Sequence, residues 1–329
     1  MAESCHKKDS FNYNPTFLKQ EIPEGFPQPH YKFENNPLTK EGIELGRKLF
    51  YDGRLSIDGN YPCASCHMQF AAFTTYDHDL SHGYNNSHTT RNAPVLFNLA
   101  WQKEFHHDGG MSNIEVQPIA QITAQNAMAE TVEHVITKLQ SDAKYREMFL
   151  AAFGDKTINS EKMLKALAQF TGSMISADSK YDRMKKGQVT FNAFEQRGYT
   201  LFQAKCAGCH AEPLFTDFSY RNIGLPIDPF LRDLGRMSVT NNKNDSLKFK
   251  VPTLRNINLS AFYMHDGRFV SLQQCVNHYR TGIQQSATLD PSLAGGISLT
   301  NAQVTDLVEF LRSLTDSTFI ADPRYSHPE

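Results

Sequence analysis

The sequence CASCH at residues 63–67 decides the fold of this chain, because the same pattern returns as CAGCH at residues 206–210. C-x-x-C-H is the attachment signature of haem c. Its two thiols add to vinyl groups on one edge of the porphyrin, and the imidazole, about one helical turn from the first thiol, reaches the iron. A zinc site competes, but the two pairs are far apart and each carries the histidine. The sequence predicts two covalent haem c groups, held by Cys63, Cys66, Cys206 and Cys209 with His67 and His210 as proximal ligands.

The residues before each motif also repeat. GRKLF at 46–50 and GYTLF at 198–202 each precede one C-x-x-C-H, which indicates a divergent internal duplication. Apolar residues recur at helical spacing over 130–153, 161–175 and 304–314, whereas strand signals are few. We therefore expect a mainly α fold of two cytochrome c-like domains with long ordered loops. The expected parts are an arm at 1–37, an N-terminal domain at 38–183 and a C-terminal domain at 184–329, with the charged stretch 179–188 as linker.

Composition and charge exclude several classes of protein. The 329 residues are 40% hydrophobic and carry a formal net charge of −2, which provides no basic surface for nucleic acid. No apolar run approaches the roughly 18 residues that a membrane helix needs. Covalent haem c implies assembly on the non-cytoplasmic side, which favours the periplasm. Cys5 is then either the lipid-bearing cysteine of an anchored protein or an idle thiol, and Cys275 is expected in the core.

Three further motifs make the chain resemble a known family. RNAP at 91–94, VPTLRN at 251–256 and FYMHDGRF at 262–269 accompany the haem motifs. In order and spacing, the set resembles the bacterial dihaem cytochrome c peroxidases and their MauG-type relatives over about residues 38–315. The resemblance implies that the haem at His67 is peroxidatic and that the haem at His210 receives and relays electrons.

The resemblance also implies a sixth ligand for the relay haem. In the family it lies fourteen residues after the histidine of the HDG motif, and it is Met in the peroxidases or Tyr in the MauG type. Counting from His265 gives Tyr279. A phenolate favours oxidised iron, whereas a thioether favours the ferrous state. If Tyr279 only packs in a core, Met264 is the fallback ligand and His278 the next candidate.

A calcium ion between the haems is a further implication of the family. The matching positions are Asn92, by its side chain, and Ser260 and Phe262, by their backbone carbonyls. Oxygen donors of this kind suit calcium. The alternative for Asn92 is a turn-stabilising role before Pro94.

The chain departs from the family at the acid–base group. Cleaving the peroxide O–O bond requires a proton to move between the oxygens, and the family usually places a glutamate just before a methionine. Here Ala127 precedes Met128. Glu130, which can share a helix face with Ala127, is the candidate replacement. Gln117 matches a family glutamine near the same pocket and is expected to orient peroxide or water.

A histidine after the first motif is a candidate ligand in the resting enzyme. His82 matches the histidine that caps the peroxidatic haem in some resting peroxidases, and such an enzyme requires reductive activation. His78 and His88 lie nearby in the sequence. The alternative is that His82 is an ordinary loop histidine.

The second departure lies in EFHHDGG at residues 104–110. Relatives carry a tryptophan here that helps electrons pass between the haems, and His107 takes its position. Trp101, six residues before it, is the other inter-haem candidate, although its position favours a packing role. An imidazole is harder to oxidise than an indole, so strong charge sharing between the haems is not expected.

Together these patterns predict an oxidoreductase of the periplasm. The leading interpretation is a dihaem peroxidase that reduces hydrogen peroxide to water with electrons from a small cytochrome c or cupredoxin. The alternative is a MauG-type oxidase that modifies a residue of a partner protein through high-valent haem iron. A second alternative is a dihaem electron carrier without enzymatic activity. A homodimer is expected only by analogy with such peroxidases.

Overall fold

The structure is a computed structural model that describes residues 13–328. Cys5 lies outside the described residues. The twelve helices of the described part are α1 Lys40–Phe50, α2 Cys63–Cys66, α3 Gln117–Thr123, α4 Val132–Gln140, α5 Ala143–Phe153, α6 Ser160–Gly172, α7 Lys180–Lys185, α8 Ala193–Lys205, α9 Met237–Thr240, α10 Leu272–Asn277, α11 Asn301–Arg312 and α12 Ser317–Ile320. The antiparallel strand pairs are β1 His82–Gly83 with β2 Ser87–His88, and β3 Tyr220–Arg221 with β4 Phe249–Lys250. Long loops connect these elements, so the expected mainly α fold is confirmed.

The duplication is visible in how the helix before each haem motif packs. A Cβ on Gly46 in α1 would lie 2.0 Å from the Ala166 carbonyl oxygen of α6. A Cβ on Gly198 in α8 would lie 2.0 Å from the Asp306 carbonyl oxygen of α11. Only glycine permits so close an approach of two helix backbones. The repeated glycine therefore marks the same helix crossing in both halves.

Each helix crossing is the centre of its own hydrophobic cluster. The first cluster includes Leu49, Phe50 and Phe170, and Cys63 packs against it. The second includes Phe202 and Phe310, with Cys206 packed against it, among other residues. Each C-x-x-C-H motif therefore lies next to its own core, and Phe319 and Tyr325 near the C-terminus join the first one.

The helical pattern over residues 130–153 is two helices and not one. Helix α4 ends at Gln140 and α5 begins at Ala143. The Asp142 side chain accepts a hydrogen bond from the Lys144 backbone N–H at 2.7 Å. This is an N-cap, and it starts a new helix where periodicity alone suggests continuation.

The charged stretch at 179–188 is not an extended linker. It forms α7, closed at its start by a capping box between Ser179 and Asp182. Tyr181 is 2% exposed and belongs to the second cluster. The Asp182 carboxylate pairs with the Arg255 guanidinium at 2.7 and 2.8 Å. A boundary between residues 183 and 184 therefore falls within a helix that packs with the second core.

The described part of the arm lies along the surface. The Tyr13 hydroxyl donates to the Ala152 carbonyl at 2.9 Å, and the Trp101 indole donates to the Pro27 carbonyl at 2.7 Å. Within residues 13–328, no helix is both long and apolar enough to span a membrane.

Charged side chains join the two halves. The Arg91 guanidinium binds both Asp233 carboxylate oxygens, at 2.6 and 2.8 Å. Its remaining nitrogen donates to Asp108 at 2.5 Å. Arg91 thus connects the segment after the first haem motif to the loop between β3 and α9.

Candidate dihaem site

The first motif presents its histidine in the form that binds iron. Helix α2 spans the two cysteines, and the His67 backbone N–H donates to the Cys63 carbonyl at 3.0 Å. The His67 Nδ1 lies 2.9 Å from the Phe73 carbonyl oxygen. A carbonyl only accepts, so Nδ1 carries the proton and Nε2 keeps its lone pair for a metal. Burial lowers the pKa of His67 to about 4, and the imidazole is therefore neutral at neutral pH.

The second motif repeats this arrangement. The His210 Nδ1 lies 3.2 Å from the Phe215 carbonyl oxygen and 3.1 Å from that of Pro252. The same tautomer follows, with Nε2 available to iron. Burial also lowers the pKa of His210, although both carbonyl contacts oppose this shift.

The cysteines of both motifs fit covalent haem attachment. All four are free thiols, not disulfides. Burial raises the pKa of Cys63 and of Cys206 to about 12, so both stay protonated until they react. Two thiols and one imidazole with an available Nε2 are the groups that haem c needs in each half.

Tyr279 lies beside the second motif. It belongs to a π-helical turn, His278–Gly282, which directly follows α10, and such turns often mark functional positions. Burial first, and then the nearby thiols of Cys275, Cys206 and Cys209, raise the pKa of Tyr279. Its hydroxyl makes no hydrogen bond to another described residue. An uncommitted phenol next to the second cysteine pair suits the role of a haem ligand.

The other two ligand candidates have different surroundings. His278 is 5% exposed, and its Nε2 donates to the Ile223 carbonyl at 2.9 Å. This nitrogen is therefore already used in packing the π turn. Met264 has a left-handed backbone, with φ +73°. Met264 as the alternative ligand of the second haem stays a prediction.

His107 lies between the two halves of the chain. Its Nε2 donates to the Asn92 carbonyl at 2.9 Å, and its own carbonyl accepts from the Lys250 backbone N–H at 2.7 Å. Burial lowers the pKa of His107 to about 3, so the ring is neutral. The side chain thus contacts one half while the backbone contacts the other.

Those two contacts reach the segments whose carbonyls hydrogen-bond the proximal histidines. The Asn92 segment continues to Pro94, whose carbonyl contributes a hydrogen bond to His67. The Lys250 segment continues to Pro252, which hydrogen-bonds His210. A continuous path of covalent and hydrogen bonds therefore joins the two proximal imidazoles through His107.

Trp101 has a packing role. It is 4% exposed, and its ring packs edge-on against Phe26 of the arm at a centroid distance of 5.3 Å. With its indole N–H bonded to Pro27, the side chain holds the arm in place. Trp101 also shares a small hydrophobic cluster with Leu214 and Phe218 of the second half, but among the described residues it has no hydrogen bond or ring contact with either C-x-x-C-H motif.

Glu130 is part of an ion-paired network. Its carboxylate pairs with the Lys138 ammonium, and it accepts from the Thr131 backbone N–H at 2.8 Å and contacts His134 Nδ1 at 3.0 Å. Burial alone would raise the pKa of Glu130, but these hydrogen bonds lower it below its ordinary value. A carboxylate held ionised in this way is poorly suited to donate a proton. Its catalytic role stays a prediction that this geometry does not favour.

The two remaining candidates for the peroxide site differ in exposure: Gln117 is half-buried and His82 is exposed. The Gln117 side chain lies 3.4 Å from His106 Nε2. His82 is exposed, and its ring lies 4.1 Å from that of His78 and 4.6 Å from that of His88. Its backbone carbonyl lies 4.0 Å from the Cys66 sulfur. His82 is thus beside the first motif, and ligation of the iron by its ring stays a prediction.

The positions matched to calcium ligands provide oxygen atoms. The Asn92 side-chain nitrogen donates to the Asp79 carbonyl at 2.8 Å, and no hydrogen bond from a described residue reaches its Oδ1. The Phe262 carbonyl accepts from the Ser260 hydroxyl at 2.8 Å, and the Ser260 carbonyl from Tyr263 at 2.7 Å. Asn92 also donates its backbone N–H to the His265 carbonyl at 2.8 Å.

Two functional candidates escaped the sequence reasoning. His106 appears in the sequence only as one of two adjacent histidines, and Lys250 precedes the VPTLRN motif without any signal. Burial lowers the pKa of Lys250 to about 8, and its ammonium donates to Gln102 and to the Glu104 carbonyl, each at 2.7 Å. Lys250 acquires its contacts only when distant segments meet, and His106 acquires its contact with Gln117 only when the loop after it folds back.

Comparison with known proteins matches both halves. A family model described as di-haem cytochrome c peroxidase matches residues 40–190, and a cytochrome c model matches residues 195–315. The methylamine utilization protein MauG of Methylophilus methylotrophus is 31% identical over 91% of this chain and 89% of its own length. The cytochrome c551 peroxidase of Nitrosomonas europaea is 32% identical over 85% and 81%, respectively.

A solved structure agrees over almost the whole chain. The crystal structure of a MauG-like protein associated with microbial copper homeostasis is 30% identical, with a TM-score of 0.84 over 94% of this chain and 99% of that one. The chain is thus an oxidoreductase of the dihaem cytochrome c peroxidase and MauG family, built from two cytochrome c-like domains.

Proposed function

We propose that this chain is a periplasmic dihaem peroxidase that reduces hydrogen peroxide to water. Its electrons would come from a small cytochrome c or a cupredoxin. The asymmetry between the two motifs carries the proposal. The uncommitted Tyr279 phenol lies beside the second motif, whereas His82, the matching cap of the first, has an exposed ring that packs edge-on against His78 and at a tilt against His88. One closed and one open axial position is the division between relay and reaction that a peroxidase needs.

The connection between the motifs supports a relay toward the first haem. When bound, the two haems supply the redox chemistry. His107 fixes the spacing of the Asn92 and Lys250 segments through one side-chain and one backbone hydrogen bond. Electrons that enter at the second motif then have a bonded route to the first that needs no oxidised tryptophan.

A MauG-type oxidase is the second candidate. Tyr279 favours it, because the resemblance assigns a tyrosine ligand to that type, and two relatives named MauG are 31% and 33% identical. In that reading the oxidising equivalents stay on the protein until a residue of a partner protein gives up electrons. An electron carrier without activity is not favoured, since the family consists of oxidoreductases.

One experiment separates the two enzyme readings. The diferric holoenzyme is mixed with hydrogen peroxide, with and without a reduced small cytochrome c or a reduced cupredoxin. Steady oxidation of either donor, in proportion to the peroxide consumed, supports the peroxidase. No donor oxidation together with a persistent oxidised spectrum supports the protein-modifying oxidase. A chain that does not react with peroxide at all refutes both readings.

The calcium site is part of the same proposal. Asn92 is 6% exposed and keeps its Oδ1 free of hydrogen bonds from described residues, and the Ser260 and Phe262 carbonyls each retain one lone pair. Removal of calcium with a chelator should loosen the Asn92 segment, which hydrogen-bonds both His107 and His265. Electron transfer between the haems should then become slower. Unchanged spectra and unchanged transfer rates after chelation would argue against calcium there.

A further inference from the structure

His106 and Gln117 make a contact that the proposed reaction does not yet use. The Nε2 atoms of the two side chains lie 3.4 Å apart, and His106 Nδ1 makes no hydrogen bond to another described residue. The amide can turn either its NH₂ group or its oxygen toward the ring. Gln117 can therefore pair with either neutral tautomer of the imidazole. When the amide oxygen accepts from Nε2–H, the contact holds the ring and leaves Nδ1 unprotonated and free to take a proton.

The loop around His106 belongs to the core of the first half. Phe105 is 5% exposed and packs in the hydrophobic cluster that Cys63 joins. Its backbone N–H donates to the Met111 carbonyl at 2.6 Å and closes the loop. His106 has φ +66°, a left-handed conformation that is uncommon for residues with a Cβ and is often found at functional sites. The fold therefore tolerates a strained backbone at this histidine.

The other acid–base candidates either have no ionisable group or already use theirs in an ion pair or a hydrogen bond. Ala127, at the family's glutamate position, has no ionisable group. Glu130 is held ionised by Lys138. His107 donates its Nε2 proton to the Asn92 carbonyl. Of the residues considered for the first haem, His106 keeps a free ring nitrogen in a half-buried position.

We propose that His106, positioned by Gln117, is the acid–base group for peroxide at the haem bound by His67. The inference rests on the proposed function, because it assigns proton transfer within that reaction. With Nε2–H donating to the Gln117 amide oxygen, the unprotonated Nδ1 takes the proton from the inner peroxide oxygen and delivers it to the outer oxygen as the O–O bond breaks, and one water leaves. Two electrons from the external donor and two protons from solvent release the second oxygen as water, and His106 ends neutral.

The charges near His106 set the direction of its pH dependence. Burial lowers the pKa of His106, Asp108 raises it, and Lys250 and Arg91 lower it. The net effect is a lowered pKa, so the imidazole is neutral at neutral pH and can accept a proton. The rate of reaction with peroxide should therefore fall at acid pH as the ring becomes protonated.

The test uses the full holoenzyme with both haems and compares the parent with His106→Gln, His106→Glu and the exposed control His30→Gln. One readout is the rate of cyanide binding to the open haem between about pH 5 and 8, where histidine titrates. Hydrogen cyanide must give its proton to a nearby base as it binds. The other is the rate constant for the first reaction with peroxide. We expect H106Q to slow both by roughly 100-fold, H106E to recover part of the peroxide rate, and H30Q to match the parent.

The outcomes separate this inference from the proposed function. Parent-like cyanide and peroxide rates in H106Q overturn the role of His106 and leave the peroxidase reading standing. A parent that does not react with peroxide refutes the peroxidase reading instead, while its cyanide kinetics still test the histidine. If H106Q takes up no haem, Gln117→Leu supplies the test, since it keeps the imidazole and removes its partner. Q117L should lower both rates by a smaller factor, and parent-like Q117L rates contradict the positioning.

Discussion

Single side chains decide which haem is closed and which is open. Tyr279 combines an uncommitted hydroxyl with a position beside Cys206 and Cys209. We expect Tyr279→Phe to convert the second haem from low spin to high spin, because a phenyl ring cannot bind iron. Electron paramagnetic resonance of the ferric protein measures the change. Met264→Leu is the control, and loss of the low-spin signal in M264L but not in Y279F would reverse the ligand assignment.

The two inter-haem candidates can be told apart by their contacts. His107→Phe removes the hydrogen bond to Asn92 while keeping an aromatic ring, so we expect slower electron transfer between the haems. Trp101→Phe should leave this rate unchanged, since Trp101 packs on the arm. Flash reduction of the second haem, followed at the wavelengths of the first, provides the measurement. A slower rate in W101F and a parent-like rate in H107F would contradict the path through His107.

At this scale the sequence predicts attachment chemistry well and proton chemistry poorly. The thiols and imidazoles of the two motifs are local patterns, so spacing alone identifies Cys63 and His67. Glu130 looks like an available acid in the sequence. In the structure, however, its carboxylate is paired with the Lys138 ammonium of α4. The contact between His106 and Gln117 depends on a loop that closes over itself, and no local pattern encodes it.

Among the helices, the repeated glycine crossing is the feature most sensitive to change. Gly198→Ala places a methyl carbon 2.0 Å from the Asp306 carbonyl oxygen, so α8 and α11 must separate. We expect a loss of roughly 1–3 kcal/mol in the free energy of unfolding, measured by denaturant titration of the holoprotein. Gly295→Ala is the matched control, because a Cβ there meets no heavy atom within 4 Å. Equal stability of the two variants would contradict the tight crossing.

Helix positions follow from the sequence more closely than helix ends do. The apolar face over 304–314 corresponds to α11, whose bounds are Asn301–Arg312. The break between α4 and α5 depends on the Asp142 cap, which periodicity does not reveal. The π turn that carries Tyr279 likewise has no signature in hydrophobic spacing, since its backbone is fixed by packing against other segments.

For the molecule as a whole, the ion pair of Arg91 with Asp233 is one of the contacts that hold the halves together. Burial would raise the pKa of Asp233, but Arg91 lowers it below the ordinary value of 3.8. A depressed folded pKa means that this carboxylate stabilises the fold above about pH 4, and that the stabilisation is lost as pH falls through the lower folded pKa. Acid titration of the holoprotein, followed by the unfolding midpoint, should therefore show loss of stability below about pH 4.

Removing the carboxylate charge isolates this contribution. Asp233→Asn leaves Arg91 with only Asp108 as a partner and should cost roughly 3 kcal/mol at neutral pH. The stability of D233N should also depend less on pH in the acid range than that of the parent. Glu147→Gln, which removes an exposed pair with Lys156, should cost less than about 1 kcal/mol. A D233N variant as stable as E147Q would show that the halves are held together by other contacts.

The whole-molecule arrangement was predictable only in part. Duplication of the C-x-x-C-H units predicts two similar domains, and the glycine crossings at Gly46 and Gly198 agree with it. How the domains meet was not predictable, because Arg91 and Asp233 are 142 residues apart and neither is part of a pairing pattern. The charged stretch at 179–188 was predicted to be the linker, but Asp182 pairs with buried Arg255 and Tyr181 joins a core.

The central claim is one open haem at His67 and one closed haem at His210 and Tyr279. Electron paramagnetic resonance and optical spectra of the diferric holoprotein, recorded before and after one equivalent of hydrogen peroxide, test it most directly. We predict one high-spin and one low-spin ferric signal, with the high-spin signal lost on addition of peroxide. Two low-spin signals that persist after partial reduction and do not respond to peroxide would contradict the account.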